Sequence, residues 1–318
     1  MTAHPTLVQQ TLSRVTIGPR QGDDQLAMYP LIDAAAPFAA DYILARDAFA
    51  AGTFEVSETT ESGQVPTLRV RNTGALAVLL LDGEELIGAK QNRVLNVTIL
   101  VAAGAVLDVP VSCVERGRWG YRSRDFRDSD FMMDSGGRAA KMREVNTSLR
   151  THGVRQSDQQ AVWSRLDAKA EAMGARSDTA AMHDTFQAHR SALEDVLGKL
   201  APVPHQVGAV FEVQGQARGV ELFDAVEPFA RVFPKVVRSY ALDSLDRQVA
   251  RSGRPHAADE LIQAVARAAE ERYPAVGLGE DVRLSSPEVQ GGALAVAGRV
   301  LHLSALGYRA LAGLASLV

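Results

Sequence analysis

The chain has a single cysteine, Cys113, among its 318 residues. One cysteine can form neither an intramolecular disulfide nor a cysteine-based metal cluster, which indicates a reducing compartment. Cys113 lies in an apolar run beside Val109 and Val111. A nucleophilic thiol needs a depressed pKa and a nearby base, so we expect a small core residue here.

Long hydrophobic runs are missing as well. No stretch reaches the roughly 18 consecutive apolar residues that a membrane-spanning helix needs. The first residues, MTAHP, have neither the basic nor the apolar region of a secretory signal peptide. We therefore expect a cytoplasmic protein without a membrane partner.

Neither an excess of basic residues nor a familiar catalytic motif is present. The formal net charge is −4, so no overall positive field favours extended nucleic acid as a partner. GxGxxG, Walker A and GxSxG motifs are absent. The seven histidines form no HxH or HxxxH pair, and we expect no metal site. The composition thus excludes several classes of protein but identifies neither a reaction nor a cofactor.

The strongest β pattern of the chain lies within residues 79–119. Two apolar, β-branched runs, 94–101 and 106–114, flank a short link that contains glycine. This pattern is typical of a β-hairpin. Its open end would bring Arg93 and Glu115 within about two strand spacings, roughly 10 Å.

The rest of the chain mixes short strands with blocks of helices. A first strand is expected at 12–17, and later hairpins turn at Gly215 and Gly298. Helices are predicted at 138–150, 158–173, 178–200, 228–245 and 257–273. Because the helices come in blocks and do not alternate with strands, we predict an α+β fold.

Both halves of the chain are expected to build the core. We predict an antiparallel β-sandwich or open barrel, with a helical-hairpin insertion and further peripheral helices. Residues 1–137 would form a β-rich part, 138–204 the helical insertion, and 205–318 the returning hairpins and helices that complete the core.

Four consecutive polar residues, Lys90-Gln91-Asn92-Arg93, lead into the first apolar run of the predicted hairpin. They supply amide and cationic donors suited to phosphate or carboxylate. The alternative is a polar strand edge that prevents edge-to-edge pairing.

Candidate acids lie near both ends of the hairpin. Glu84 and Glu85 would point to opposite faces of a strand, so only one of them can enter a given cleft. The alternative is a turn with solvated acids. Glu115 follows the second apolar run. Glu84 and Glu115 are the candidates for acid–base chemistry.

An arginine-rich segment follows, from 115 to 127. Arg116 and Arg118 precede Trp119 and Tyr121. Guanidinium groups bind phosphate through two hydrogen bonds and aromatic rings stack on bases, so the segment suits a nucleotide. The alternative is a loop in which arginines and acids pair with one another.

Three segments of the chain, LLLDGEELIGAKQNRVLN, VPVSCVERGRW and RSYALDSLD, resemble a bacterial domain family. The family is named for its association with ADP-ribosylglycohydrolases and rhodanese-phosphatases. The resemblance extends from residue 8 or so to 250 and leaves the last 60 residues unplaced. It implies a connection with NAD-derived and ADP-ribose metabolism, without an established reaction. The family's motif positions fall on Asp82, Gly83, Glu84, Gly88, Lys90, Gln91, Asn92, Arg93, Cys113, Glu115 and Trp119.

Two functions compete at this point. The leading hypothesis is a protein that binds, and if chemistry occurs processes, an ADP-ribose-like or other phosphorylated nucleotide. In this hypothesis the pyrophosphate is held by Lys90, Arg93, Arg116 and Arg118, and the base stacks on Trp119 or Tyr121. The sugar is oriented by Gln91 and Asn92. Any acid–base chemistry is carried out by Glu84 or Glu115. The alternative is a non-catalytic protein–protein interaction module, whose polar cluster would be paired internally, with no open pocket beside it.

Overall fold

The computed structural model describes residues 4–60, 66–246, 248–249 and 258–307. The helices of these ranges are α1 (Leu7–Leu12), α2 (Ala45–Ala50), α3 (Ser135–His152), α4 (Gln159–Ala172), α5 (Met182–Ala188), α6 (Arg190–Leu197), α7 (Val226–Leu245) and α8 (Ala258–Arg267). The strands are β1 (Thr16–Ile17), β2 (Gln21–Gly22), β3 (Leu26–Ile32), β4 (Tyr42–Leu44), β5 (Phe54–Glu58), β6 (Thr67–Asn72), β7 (Ala77–Leu80), β8 (Glu84–Gly88), β9 (Arg93–Leu95), β10 (Ile99–Val101), β11 (Val106–Cys113), β12 (Phe126–Met132), β13 (Gln206–Val213), β14 (Gln216–Phe223), β15 (Ala269–Pro274), β16 (Glu280–Ser285), β17 (Val289–Val296) and β18 (Arg299–Gly307). The predicted α+β class is confirmed.

Three sheets organise these strands. The largest has nine strands in the order β1-β3-β13-β14-β18-β17-β16-β15, with β2 paired to β3. A second sheet runs β12-β8-β9-β11-β6-β5, and a third runs β10-β7-β4. The pairings within the described ranges are antiparallel apart from β4 with β7. Strands from both halves of the chain therefore share one sheet, as predicted.

Two long helices form a layer between the sheets. α7 contacts β13 of the nine-stranded sheet and β12 of the six-stranded sheet. α3 contacts β17, and its Lys141 donates to the carbonyl oxygen of Leu95 at 2.9 Å. Asp134 caps α3 by accepting from the amide of Gly137, and α3 ends at Gly153 with a φ of 71°. No helix within the described ranges is long and apolar enough to cross a membrane.

The predicted hairpin is only half correct. β9 pairs with β11, so that Arg93 stands opposite Cys113. The chain between them leaves this sheet, because β10 pairs with β7 instead. Two polar residues mark the departure: the Asn96 side chain donates to a backbone carbonyl at 3.0 Å, and the Thr98 hydroxyl bonds to the His302 ring at 2.9 Å.

Three other element predictions were wrong. Of the strand expected at 12–17, only Thr16–Ile17 forms, as β1. Leu12 instead ends helix α1, which starts at a capping box formed by Thr6 and Gln9. The helix expected at 178–200 begins only after Ala181, which a β-bridge to Glu115 holds extended, and it is interrupted at His189. The helix expected at 257–273 ends at Arg267, and the following residues pair with β16 as strand β15.

Candidate functional site

The acidic side chains of residues 82–85, in the turn before β8 and at its start, contact basic side chains of three helices. Glu84 is buried, and its Oε1 lies 2.9 Å from Nζ of Lys235 in α7. The same ammonium lies 2.7 Å from Oδ1 of Asp128, while Glu84 Oε2 accepts from the amide of Leu81 at 2.9 Å. Burial opposes the charge on Lys235, but the two carboxylates outweigh burial and raise its pKa. This ionic triad joins α7 to β8 and β12.

Helix α3 is anchored in the same way. Its Lys141 pairs with Asp82, and Arg138 pairs with Glu221 of β14 at 2.6 Å. Gly83 packs directly against Arg138: it has a φ of +83°, and a Cβ at this position would lie 2.5 Å from Cδ of Arg138. The glycine therefore allows the strand and the helix to approach each other.

Glu85 points away from Glu84 and reaches a different helix. Its Oε2 accepts from the hydroxyl of Ser129 at 2.6 Å and lies 2.8 Å from Nδ1 of His183 in α5. Burial disfavours the imidazolium, but the hydrogen bond and charge of Glu85 outweigh burial and raise the pKa of His183.

The His183–Glu85 pair should make stability depend on pH. Because folding raises the pKa of His183 above its ordinary value of about 6.5, the contribution is complete below that pH and is lost as pH rises through the folded-state pKa. We expect His183→Gln to cost more at a pH of about 5.5 than at about 8.5, by an amount on the order of 0.5 kcal/mol. Urea denaturation at both pH values measures the difference. His189→Gln is the control, because that ring bonds to the carbonyl of Thr185 at 3.0 Å. An equal pH dependence in both variants would contradict the assignment.

A second polar group, which we call the hairpin-end cluster, occupies the ends of β9 and β11. It consists of Lys90, Gln91, Asn92, Arg93, Cys113, Glu115, Arg118, Trp119 and Tyr121. The amide of Val114 donates to the carbonyl of Asn92 at 3.0 Å, and the amide of Asn92 donates to Oε2 of Glu115 at 3.0 Å. These bonds hold the two polar segments side by side.

Glu115 and Arg118 form the fixed part of the cluster. Arg118 donates to the buried carboxylate from Nε at 2.8 Å and from Nη2 at 2.6 Å, and the Thr179 hydroxyl donates at 2.8 Å. Burial by itself would raise the pKa of Glu115, but these donors outweigh burial and lower that pKa. Arg118 also donates to the carbonyls of Ala89 and Gly120 at 2.6 and 2.9 Å. The pair is satisfied internally and fixes the loop that carries the aromatic residues.

Arg93 and Cys113 face each other deeper in the cluster, and both are completely buried. Arg93 donates from Nη1 to the carbonyl of Gln91 at 2.9 Å, and the Cys113 thiol donates to Oε1 of Gln91 at 3.1 Å. Burial raises the pKa of the Cys113 thiol more than Arg93 lowers it. A buried, protonated thiol is a weak nucleophile.

Lys90 lies beside the two aromatic side chains of the cluster. Its Nζ is 5.3 Å from the ring centroid of Trp119 and 5.1 Å from that of Tyr121. The two rings are 51% and 55% exposed, whereas Lys90 is buried. The Arg93 guanidinium carbon is 5.9 Å from the Trp119 centroid. Two cations therefore stand beside aromatic rings that are open to solvent.

Two of the predicted site residues lie elsewhere. Glu84 belongs to the triad with Lys235, and Arg116 leaves the cluster to pair with Asp167 of α4 at 2.9 Å. The predicted residues that the structure does bring together are Lys90, Gln91, Asn92, Arg93, Glu115, Arg118, Trp119 and Tyr121. Within the described ranges, no three metal-binding side chains converge.

The basic partners on the helices were missed from the sequence. Lys235 and Lys141 resemble ordinary surface lysines, although Lys235 stands between Phe233 and Val236 on a strongly apolar helix. The apolar neighbours of Lys235 in the sequence could have predicted the ion pair, because a lysine on a buried helix face needs a carboxylate partner.

One comparison identifies the family. The model of the ARG and Rhodanese-Phosphatase-superfamily-associated Protein domain matches residues 14–306. The chain belongs to this family. The match includes β15–β18, which the resemblance had left unplaced, so the nine-stranded sheet lies within the family domain. The family name associates the domain with ADP-ribosylglycohydrolase (ARG) and rhodanese-phosphatase proteins. No curated protein and no solved structure matches the chain.

Proposed function

We propose that this domain binds a phosphorylated nucleotide of the ADP-ribose type at the hairpin-end cluster. The observation that carries the proposal is the placement of the Lys90 ammonium beside two half-exposed rings, 5.3 Å from Trp119 and 5.1 Å from Tyr121. A cation next to open aromatic faces suits a ligand that combines a phosphate with a flat base. The family's association with ADP-ribose-related proteins supports the same ligand class.

The cluster divides into contact and supporting residues. In the proposal Lys90 contacts phosphate, and Trp119 or Tyr121 stacks on the base. Arg118 holds the loop through its bonds to Glu115, and the Asn92 side chain accepts from Arg118 at 3.3 Å. These internal bonds orient the loop that carries the rings.

Binding is better supported than acid–base turnover. Glu84 is held by Lys235 and Glu115 by Arg118, and the lowered pKa of Glu115 makes it a weak general base. The same internal pairing favours a second candidate function, a protein–protein interaction module. In that case the exposed Trp119 and Tyr121 would contact a partner protein.

A thermal-shift screen with ADP-ribose, NAD, AMP and inorganic phosphate tests the first function. A ligand at about a hundredfold over its dissociation constant adds about 2.7 kcal/mol to stability and raises the midpoint visibly. A rise with the nucleotides supports the proposal. No rise with any of them would refute it and favour the interaction module.

Replacing Trp119 or Lys90 should weaken nucleotide binding. Stacking on an aromatic ring contributes about 1–3 kcal/mol, so Trp119→Ala is expected to raise the Kd of ADP-ribose by about 10-fold or more. Lys90→Ala should do likewise, because it removes the phosphate contact. Calorimetric titration measures both. Lys199→Ala removes an exposed lysine that pairs with Asp23 at 2.8 Å and serves as the control. Equal affinities in all three variants would contradict the assigned site.

A further inference from the structure

Glu58 and Arg93 face each other inside the six-stranded sheet. Nη2 of Arg93 lies 3.9 Å from Oε1 of Glu58, and the two side chains are 0% and 4% exposed. Two strands, β11 and β6, separate β9 from β5 in the sheet order. In a flat sheet three strand spacings amount to about 14 Å, so the side chains meet because the sheet curls. Contact between its two edge strands, β12 and β5, reflects the same curl.

This pair leaves an unusual number of polar atoms without partners. Among the described residues, Nε and Nη2 of Arg93 and both carboxylate oxygens of Glu58 have no hydrogen-bond partner, and neither has the hydroxyl of the adjacent Thr59. The distance of 3.9 Å is too long for a hydrogen bond between the two charges. Buried polar atoms are nearly always paired. Such a concentration of unpaired donors and acceptors offers hydrogen bonds to a polar group beside the pair.

The donors and acceptors together define the chemistry of that group. A phosphate suits Arg93 but would be repelled by the carboxylate of Glu58. A nucleobase edge presents a donor and an acceptor side by side, which matches one carboxylate and one guanidinium. A ribose phosphate without a base has no such edge.

We propose that Glu58 and Arg93 form the base-recognition subsite of the nucleotide site. Glu58 accepts from an N–H group of the base edge, and Arg93 donates to the neighbouring ring nitrogen or carbonyl. This inference rests on the proposed nucleotide binding and assigns Arg93 to the base, leaving the phosphate to Lys90.

The position of Trp119 fits this division. Its ring lies 5.9 Å from the Arg93 guanidinium carbon and 5.3 Å from the Lys90 ammonium, so both cations adjoin one ring. A base that stacks on Trp119 can direct its edge toward Arg93 and its phosphate toward Lys90.

Calorimetric titrations with AMP and with ribose 5-phosphate test the subsite. We expect the protein to bind AMP at least about 10-fold more tightly than ribose 5-phosphate, because only AMP carries a base edge. Glu58→Gln should weaken AMP binding by about 10-fold and leave the affinity for ribose 5-phosphate within about twofold. Glu55→Gln, on the same strand with a side chain 61% exposed, is the matched control and should change neither affinity.

The outcomes separate the two proposals. Equal affinities for AMP and ribose 5-phosphate, or equal losses of both in Glu58→Gln, would overturn the subsite and leave phosphate binding in place. Unchanged affinities in Glu58→Gln would mean that only trapped water occupies the gap, which also overturns it. Absence of binding by the unmodified protein would refute both proposals. If circular dichroism shows that Glu58→Gln is unfolded, Glu58→Asp replaces it, with the same selective loss expected.

Discussion

Lys235→Met is expected to lower the free energy of unfolding by about 3–5 kcal/mol, because it leaves buried carboxylates without their counter-charge. Glu84 and Asp128 lie 2.9 and 2.7 Å from the ammonium that is lost. Methionine keeps most of the volume of the side chain, so the effect reports on charge and not on a cavity. Urea denaturation measures the change.

The control for this prediction lies one turn earlier on the same helix. Arg231 pairs with Asp47 at 2.7 Å, but its side chain is 51% exposed. Arg231→Met should therefore cost no more than about 1 kcal/mol. Adding Glu84→Gln to Lys235→Met should recover part of the loss, since it removes one of the unpaired charges. A loss below about 1 kcal/mol in Lys235→Met would show that the triad does not hold the helix layer in place.

Gly83→Ala should lower the free energy of unfolding nearly as much as Lys235→Met. An alanine with positive φ costs about 1–2 kcal/mol, and overpacking adds about 1–3 kcal/mol. The added methyl group would lie 2.5 Å from Cδ of Arg138, whose guanidinium holds Glu221 at 2.6 Å. We expect a total loss of about 2–5 kcal/mol, measured by thermal or urea unfolding.

Gly104→Ala isolates the backbone part of this effect. Gly104 has a φ of +71°, and nothing lies within 4 Å of the position of an added Cβ. Its replacement should cost about 1–2 kcal/mol. Equal losses at the two positions would mean that the contact between Gly83 and Arg138 tolerates a methyl group, and that the close approach of strand and helix is not required.

Local patterns predicted the local elements well. The cap of α4 at Asp158 and the β17–β18 turn at Gly298 occur where the sequence indicated. These features depend on side chains a few residues apart, as does the β13–β14 hairpin around Gly215. The α+β class followed from the order of such elements.

Features that depend on distant pairing were not predictable in the same way. The apolar run that ends in β10 has the pattern of a hairpin strand, and only its pairing with β7 takes it into another sheet. In the candidate site, the sequence brought residues 90–93 together with Glu115, because one strand pair does so. It could not show that Glu84 would form an ion pair with Lys235, 151 positions away. Nor could it show that Glu58 would lie near Arg93 across a curled sheet.

The mixed origin of the nine-stranded sheet also has a consequence for synthesis on the ribosome. β3 pairs with β13, and the Tyr29 hydroxyl meets Glu212 across 183 positions of the chain. Translation proceeds at about 5–20 residues per second, so β13 is synthesised roughly 10–40 s after β3. During that interval the edge of β3 that will receive β13 is unpaired. Nascent chains stalled before residue 206 are therefore expected to be the species most prone to aggregate and most dependent on chaperones.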